Sequence, residues 1–431
     1  SGRPSNQLAM ALETSTRGLA LLCASAFFVF LAYTSTQNLE STVRPGVGTT
    51  AVGVVYITLV GASIIAPVVI ERLGRRPALF ISACCYVLFV ASNVSAAWAV
   101  MIPAAVTLGL GAAVLWPAVL SYLKDYSVMH CDTTGKGRRE CLDWFSSIFW
   151  GSFQFSQLTG SALIYVIIHF GDRDASKAEV LLTVVFTCCA VAGTLLTSLL
   201  PEGRAMLEGE ALGDSTGEEI EERASALGTL RGMLALLCHK QNALLLPVYF
   251  YNGLEQGFAW CNFTKGMIGP MYEKDASAMI GVFMLCYAAA NSAVGFLVGY
   301  LPSTRGVTNG LVALAVACQV VCTGATHFLL RGRRGPLFAV AAALGFGDAL
   351  LNTKVSVLLS TDFSPKQHLS VVTVWRAVVS VACSLPFFLS SATTIDQQVV
   401  ALLAWGGVTL AAFFAYCTAY ATVGQGSEFT S

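Results

Sequence analysis

The sequence predicts an all-α polytopic membrane protein, with twelve transmembrane helices in two pseudo-symmetric six-helix bundles. Three observations lead to this fold class. First, 55% of the 431 residues are hydrophobic and 12% are charged, with a mean hydropathy of +0.68, whereas a typical soluble domain is about 25% charged. Second, apolar runs long enough to cross a bilayer as a helix recur along the whole chain. Third, the two halves of the chain repeat each other.

Twelve apolar runs define the predicted spans. The first run is too long for a cleaved signal peptide and is therefore interpreted as a span. The longest polar segment follows the sixth run, so it divides the chain into six spans plus six. The predicted spans are 17–38, 50–70, 78–97, 99–123, 144–169, 179–200, 242–264, 277–300, 307–330, 336–359, 369–393 and 397–422.

The predicted domains follow from this division. The N-terminal bundle covers residues 17–200 and the C-terminal bundle covers residues 241–422. The acidic segment 201–240 between them contains little that could pack, and it is predicted to be a cytosolic linker. Its end, residues 230–237, is predicted to form a short amphipathic helix on the membrane surface. Residues 426–431 resemble a remnant of cloning.

The distribution of basic residues predicts the orientation. Most of the 25 Lys and Arg residues fall on the side of the N-terminus if the chain crosses the membrane twelve times. Cytoplasmic loops carry an excess of Lys and Arg, so both termini are expected in the cytosol. Arg331, Arg333 and Arg334 are the exception, because this topology places them outside. The sequence does not distinguish the plasma membrane from an endomembrane.

Two sequence repeats relate the halves. The segment from Leu108 to Leu115 and the segment from Leu344 to Leu351 share a Leu-Gly-x-Gly frame and lie 236 positions apart. The loop that contains Gly74 and the loop that contains Gly306 lie 232 positions apart. Similar separations at two places predict a duplication, with the halves related by an axis along the membrane normal.

The loop after the second span carries a recognisable motif. Glu71-Arg72-Leu73-Gly74-Arg75-Arg76 resembles the major facilitator superfamily signature G-x-x-x-D-R-x-G-R-R, with Glu71 at the usual Asp and Pro67 at the usual first Gly. A carboxylate and several arginines at such a turn can bond to neighbouring helix ends, and Gly74 permits the reversal. We therefore expect a conformational latch formed by Glu71, Arg72, Gly74, Arg75 and Arg76. The alternative is an ordinary basic cytosolic loop.

Several spans together carry a narrower resemblance. Thr36-Gln37-Asn38-Leu39 closes the first span, Phe149-Trp150-Gly151 lies in the fifth, and Gly345-x-Gly347-Asp348-Ala349-x-x-Asn352-Thr353 lies in the tenth. This set is similar to the Unc-ninety-three family, a branch of the major facilitator superfamily. The resemblance implies a transporter fold. It also implies possible accessory roles, because members of that family regulate a potassium channel, escort receptors or affect potassium balance.

Four ionisable side chains interrupt the spans: Glu255, Asp348, Lys354 and Arg376. A charge near the bilayer centre costs about 2.5–3.5 kcal/mol, so such residues usually face a cavity or a partner. Asp348 and Asn352 are four residues apart and share a helix face. Lys354 is near the inner end of its span, and we expect its long side chain to reach the membrane interface and to take no part in the site.

Two interpretations of Asp348 and Glu255 remain open. They form a cation or proton site in a central cavity, or a counter-ion for a charged substrate. Alternatively, Asp348 pairs with Arg376 and Glu255 with Lys354 as structural ion pairs. Gln37 and Asn38 line the mouth of a cavity or form a solvated helix end. The candidate substrate- or ion-coupling residues are Asp348, Glu255, Asn352, Arg376, Gln37, Asn38, Gln154, Gln157 and Gln256.

Two classes of function are consistent with these features. The first is a secondary-active transporter of an ion or small solute that works by alternating access, linked to potassium or proton balance. The second is a non-transporting regulatory or chaperone subunit for an ion channel or receptor. The sequence contains no catalytic constellation and no ligand spacing typical of a metal or cofactor, so we predict no enzyme activity, metal or cofactor. Neutral net charge gives no reason to expect a nucleic-acid partner.

Overall fold

A computed structural model of the chain describes residues 5–43, 46–95, 97–170, 175–201, 226–272, 276–390 and 392–420, and the regular secondary structure in these ranges is helical. The first half contains α1 (Ser5–Val43), α2 (Val47–Ala62), α3 (Ala66–Leu73), α4 (Arg75–Ser92), α5 (Trp98–Thr134), α6 (Arg138–Phe170) and α7 (Ala175–Ser198). The second half contains α8 (Ala226–Cys238), α9 (Lys240–Gly257), α10 (Gly269–Tyr272), α11 (Ala276–Leu297), α12 (Arg305–Gly324), α13 (Gly335–Asp362), α14 (Pro365–Leu389) and α15 (Ile395–Ala419).

The helices coincide with the predicted apolar runs, although several are longer or interrupted. Within the described ranges, nine helices are long and apolar enough to cross a membrane, or ten if α2 and α3, which meet at a bend of 69°, form one span. A π-helix over Phe258–Ile268 continues α9, and another over Ala325–Leu329 continues α12. The all-α membrane architecture is therefore established, and the number of twelve spans stays a prediction.

Within each half of the chain, helices near and far in sequence pack on one another. In the first half, α1 contacts α5, α6 and α7, and α4 contacts α5 and α7. In the second half, α9 packs on α14 and α15, while α13 packs on α11 and α12. The division into two bundles with the predicted limits remains a prediction. Of the predicted linker, residues 202–225 lie outside the described residues, and α8 covers the segment predicted as an amphipathic helix.

Several pairs of helices connect the halves. α6 packs on α11 and α13, and α14 packs on α2 and α5. The backbones of α6 and α11 approach closely at Gly151 and Gly295, where a Cβ atom on Gly295 would lie 2.9 Å from the Gly151 Cα. Ser292 also donates a hydrogen bond to the carbonyl of Gly151 at 3.2 Å. These contacts leave a cavity between the halves, bordered also by α1, α5, α9 and α13.

Candidate functional site

A cavity of about 80 Å³ lies where the two halves meet. Its wall contains aromatic side chains and a small number of polar and charged ones, as is typical of small-molecule sites. Seven of the nine predicted site residues lie in this wall: Gln37, Gln154, Gln157, Gln256, Asp348, Asn352 and Arg376. The side chain of Asn38 lies outside the described part of the chain.

Asp348, on α13, is the most heavily hydrogen-bonded of these side chains and is 1% exposed. Its Oδ1 accepts hydrogen bonds from the side-chain amides of Gln256 at 2.7 Å, Asn352 at 2.6 Å and Asn252 at 3.5 Å. Asn352 is one helical turn further along α13, so the shared face expected from the sequence is confirmed. Its amide also donates to the backbone carbonyl of Asp348.

The second oxygen of Asp348 reaches across to the other half of the chain. Oδ2 accepts hydrogen bonds from the amide of Asn291 at 2.6 Å, the hydroxyl of Tyr287 at 3.0 Å and the amide of Gln154 at 3.1 Å. Gln154 lies on α6, whereas the other donors lie on α9, α11 and α13. Six neutral donors from four helices therefore hold one buried carboxyl group in place.

Glu255, on α9, is fully buried but does not line the cavity. The amide of Gln319 on α12 donates to its Oε2 at 3.0 Å. Its carboxyl group also interacts with that of Asp348, so the two acids form a pair inside the second half. Glu255 thus packs toward α12 and not into the cavity wall. Its role in coupling stays a prediction.

Neither of the two structural ion pairs considered from the sequence forms among the described residues. Arg376, on α14, lies over the ring of Trp116, with 4.0 Å between its Cζ and the ring centroid, and 5.5 Å from the ring of Trp375. Its Nε has no hydrogen-bond partner among the described residues. The cation is thus held by aromatic faces, which attract a guanidinium electrostatically but leave its edge free.

The prediction that Lys354 reaches the membrane interface is wrong. Its side chain is fully buried, and its Nζ lies 2.8 Å from Oδ1 of Asp143, which is also fully buried. Asp143 lies near the start of α6, so this pair joins the two halves. The reason for the error is that α6 covers this face of α13 and encloses the ammonium group against the carboxylate of Asp143.

The predicted latch loop lies between α3 and α4. Gly74 has a φ of +81°, which supports the predicted reversal. Arg75 pairs with Asp125 on α5 and donates to Ser121 at 3.3 Å, and Arg76 donates to the carbonyl of Ser198 at the end of α7. These two arginines therefore tie the loop to the ends of two helices in the same half, and a latch role stays a prediction for all five residues.

The second half has a matching pair that the sequence analysis missed. Arg305, at the start of α12, donates to Oδ2 of Asp362 at 2.8 Å, and Asp362 ends α13. Tyr416 also donates to this carboxylate. Arg75 at the start of α4 and Asp125 on α5 occupy the corresponding places in the first half. The weaker second loop repeat, which lacks the arginine pair, concealed this correspondence.

Several members of the site were also missed. Asn252, Tyr287, Asn291 and Gln319 complete the environment of the two acids. A signal was available, because Asn252 precedes Gln256 by four residues and Tyr287 precedes Asn291 by four. Polar pairs at this spacing share one face of an apolar helix, as Asp348 and Asn352 do.

The chain is similar to known proteins along most of its length. Residues 40–415 match a family model described as "Ion channel regulatory protein UNC-93". The "UNC93-like protein 3" of Arabidopsis thaliana is 29% identical over 397 residues, covering 90% of this chain and 83% of that protein. The "Protein unc-93 homolog A" of Homo sapiens is 25% identical over 398 residues, covering 85% of this chain and 86% of that protein.

Solved structures show the same fold. The human organic anion transporter MFSD10 superposes with a TM-score of 0.65 at 15% identity, covering 93% of this chain and 99% of that chain. The proton:xylose symporter XylE, a major facilitator superfamily protein, superposes with a TM-score of 0.61 at 13% identity, covering 94% of this chain and 95% of that one. The chain is therefore an integral, multi-pass membrane protein of the major facilitator fold.

Proposed function

The chain belongs to the UNC-93 family, and we propose that it is a secondary-active transporter of a small solute that works by alternating access. Transport is coupled to a proton or another cation at the Asp348 and Glu255 pair. The observation that carries this proposal is the carboxyl group of Asp348, buried between the halves and hydrogen-bonded to side chains from both. A group held in this way changes its environment whenever the halves move relative to each other.

The paired acids supply a place for the coupling proton. Two carboxylates in contact away from water repel each other strongly, so the pair is expected to hold one proton between them. Both oxygens of Asp348 already accept hydrogen bonds. Oε1 of Glu255 has no hydrogen-bond partner among the described residues, so we assign the proton to Glu255.

The Lys354–Asp143 pair closes the other end of the cavity in this proposal. It joins α13 to α6 near the point where α6 begins, on the side predicted to be cytosolic. The wall of the cavity includes Gln37 and Trp260, which lie near the opposite ends of their spans. An opening toward the cytosol requires Lys354 and Asp143 to separate, so this ion pair stabilises the state with the cytosolic side closed.

The test is ion flux in vesicles that contain only the purified protein and an entrapped pH-sensitive dye. We expect Glu255→Gln to abolish proton movement driven by an imposed gradient, because an amide cannot exchange a proton. We expect Asp348→Asn to abolish it as well, because the pair then lacks its second carboxyl group. The matched controls are Asp132→Asn and Glu140→Gln, at exposed positions outside the cavity, which should leave flux unchanged. Undiminished flux in both site variants would contradict the coupling assignment.

A second function is favoured by the matched family description, which names ion channel regulation. In this alternative the fold is retained and its surface binds a channel or receptor in the same membrane. The purified protein would then move no ion in vesicles and would co-purify with a partner membrane protein. Flux by the isolated wild-type protein distinguishes the two functions, since a regulator does not transport alone.

A further inference from the structure

The cavity contains a cation whose hydrogen-bonding capacity is unused. A guanidinium carries five N–H donors in a fixed planar fork. Among the described residues, none forms a hydrogen bond or an ion pair with the Arg376 guanidinium, and its Nε is buried without a partner. A buried donor without an acceptor is unfavourable by the full cost of its lost hydration. The arrangement is therefore incomplete in the absence of an acceptor inside the cavity.

Asp348, in the wall of the same cavity, has almost no unused hydrogen-bonding capacity. Each oxygen of Asp348 already accepts three hydrogen bonds from neutral side chains. A carboxylate oxygen has about two lone-pair directions, so Asp348 has little capacity left for a cationic ligand. Gln154 Oε1, Asn352 Oδ1 and Trp260 Nε1 of the wall also lack a partner, but these groups are neutral. Among the described residues of the wall, the charged group with unused hydrogen-bonding capacity is the Arg376 guanidinium, and this favours an anionic ligand over a cationic one.

Aromatic rings surround the guanidinium and define the shape of the remaining space. The ring of Trp116 lies under Arg376 and stacks on Trp150 with 5.6 Å between centroids. Phe153 and Phe30 meet these rings edge-on or at a tilt. All four rings line the cavity. They form an apolar wall beside the guanidinium, against which the uncharged part of a ligand can lie.

We propose that Arg376 binds the carboxylate of a compact organic acid whose apolar ring lies against this aromatic wall. Arginine is suited to this role because its fork matches the two oxygens of a carboxylate. The cavity volume of about 80 Å³ limits the ligand to a small molecule. This inference names the substrate class of the proposed transporter and therefore rests on that proposal.

The experiment measures binding to the purified full-length protein in detergent by calorimetry and by thermal unfolding. The three probes are benzoate, the neutral benzamide and the cationic benzylammonium ion. We expect benzoate to bind saturably and to raise the melting temperature, whereas the other two do not. Arg376→Gln should weaken benzoate binding about ten- to a hundredfold, the effect of losing hydrogen bonds to a charged group. Arg333→Gln, at an exposed arginine away from the cavity, should have no effect.

The outcomes separate this inference from the transport proposal. Arg376→Lys keeps the charge but loses the fork, so it should bind benzoate more weakly than wild type even if Arg376→Gln does not fold. Equal binding of benzoate by either Arg376 variant, or binding of benzylammonium in preference to benzoate, overturns the inference. Proton flux without benzoate binding overturns the substrate class alone. Benzoate binding without flux in any condition overturns transport and leaves the anion site in place.

Discussion

The helices α5 and α13 share a sequence frame, and comparing them separates what packs from what binds. Gly109 and Gly111 on α5 correspond to Gly345 and Gly347 on α13. A side chain on Gly109 would overlap Val55 and Thr58 of α2, and one on Gly345 would overlap Tyr287 of α11. The second glycines likewise contact Cys85 of α4 and Gln319 of α12. The frame therefore performs the same packing role in both halves.

The two helices differ at several buried positions, and three of these differences change the chemistry of the interior most. Ala112, Trp116 and Ala118 of α5 correspond to Asp348, Asn352 and Lys354 of α13. Trp116 supports Arg376 in the cavity, whereas Asp348 and Asn352 form the polar centre of the opposite wall. The duplicated frame thus carries an aromatic wall in one half and an ionisable one in the other. The glycine frame is repeated in the two halves, whereas the polar and aromatic side chains beside it are not.

The largest effect on stability is expected at the position where α13 carries Lys354. Lys354→Met leaves Asp143 fully buried without its partner, and breaking a buried pair in this way costs about 3–5 kcal/mol. Thermal unfolding in detergent should show a large drop in melting temperature. Combining Lys354→Met with Asp143→Asn should recover much of the loss, because no unpaired charge remains. A single variant as stable as wild type would contradict the burial of this pair.

An intermediate loss of stability, equal in the two halves, is expected when alanine replaces the first glycine of the frame. Gly109→Ala and Gly345→Ala each place a methyl group against the backbone of a neighbouring helix, and overpacking of this kind costs about 1–3 kcal/mol. The control is Gly407→Ala on α15, where a Cβ atom meets no other atom within 4 Å. Unfolding of all three variants checks the comparison. Destabilisation in one half only would show that the packing is not repeated.

The smallest loss of stability is expected when the carboxylates near the ends of the two helices are replaced. Asp362→Asn weakens hydrogen bonds to both Arg305 and Tyr416, at a cost of about 1.5 kcal/mol. Asp125→Asn should cost less, because Asp125 and its partner Arg75 are more exposed and water screens the interaction. Unfolding of both variants ranks the two sites. A larger loss at Asp125 would reverse this order.

The candidate site was predicted in part from single residues in apolar runs. Asp348, Asn352 and Arg376 were found because charges and amides are costly in a membrane and therefore conspicuous. Their partners were not found, because the sequence does not state which faces of α9, α11 and α6 turn toward α13. Lys354 shows the limit most clearly. Because Lys354 lies near the end of its span, its side chain was predicted to reach the membrane interface. Its actual partner is Asp143 on α6, some 200 positions earlier in the chain.

The sequence by itself determined that this chain is an all-α membrane protein, that a Leu-Gly-x-Gly frame recurs in its second half and which ionisable groups interrupt its spans. These properties follow from local composition and from the spacing of apolar residues, since each helix satisfies its own backbone hydrogen bonds in a membrane. Only the tertiary structure decided that Asp348 is held by six neutral donors, that Glu255 packs toward α12 and that Arg376 has no hydrogen-bond or ion-pair partner among the described residues. Such properties depend on which helix faces meet, and that is decided by packing between segments far apart in the chain.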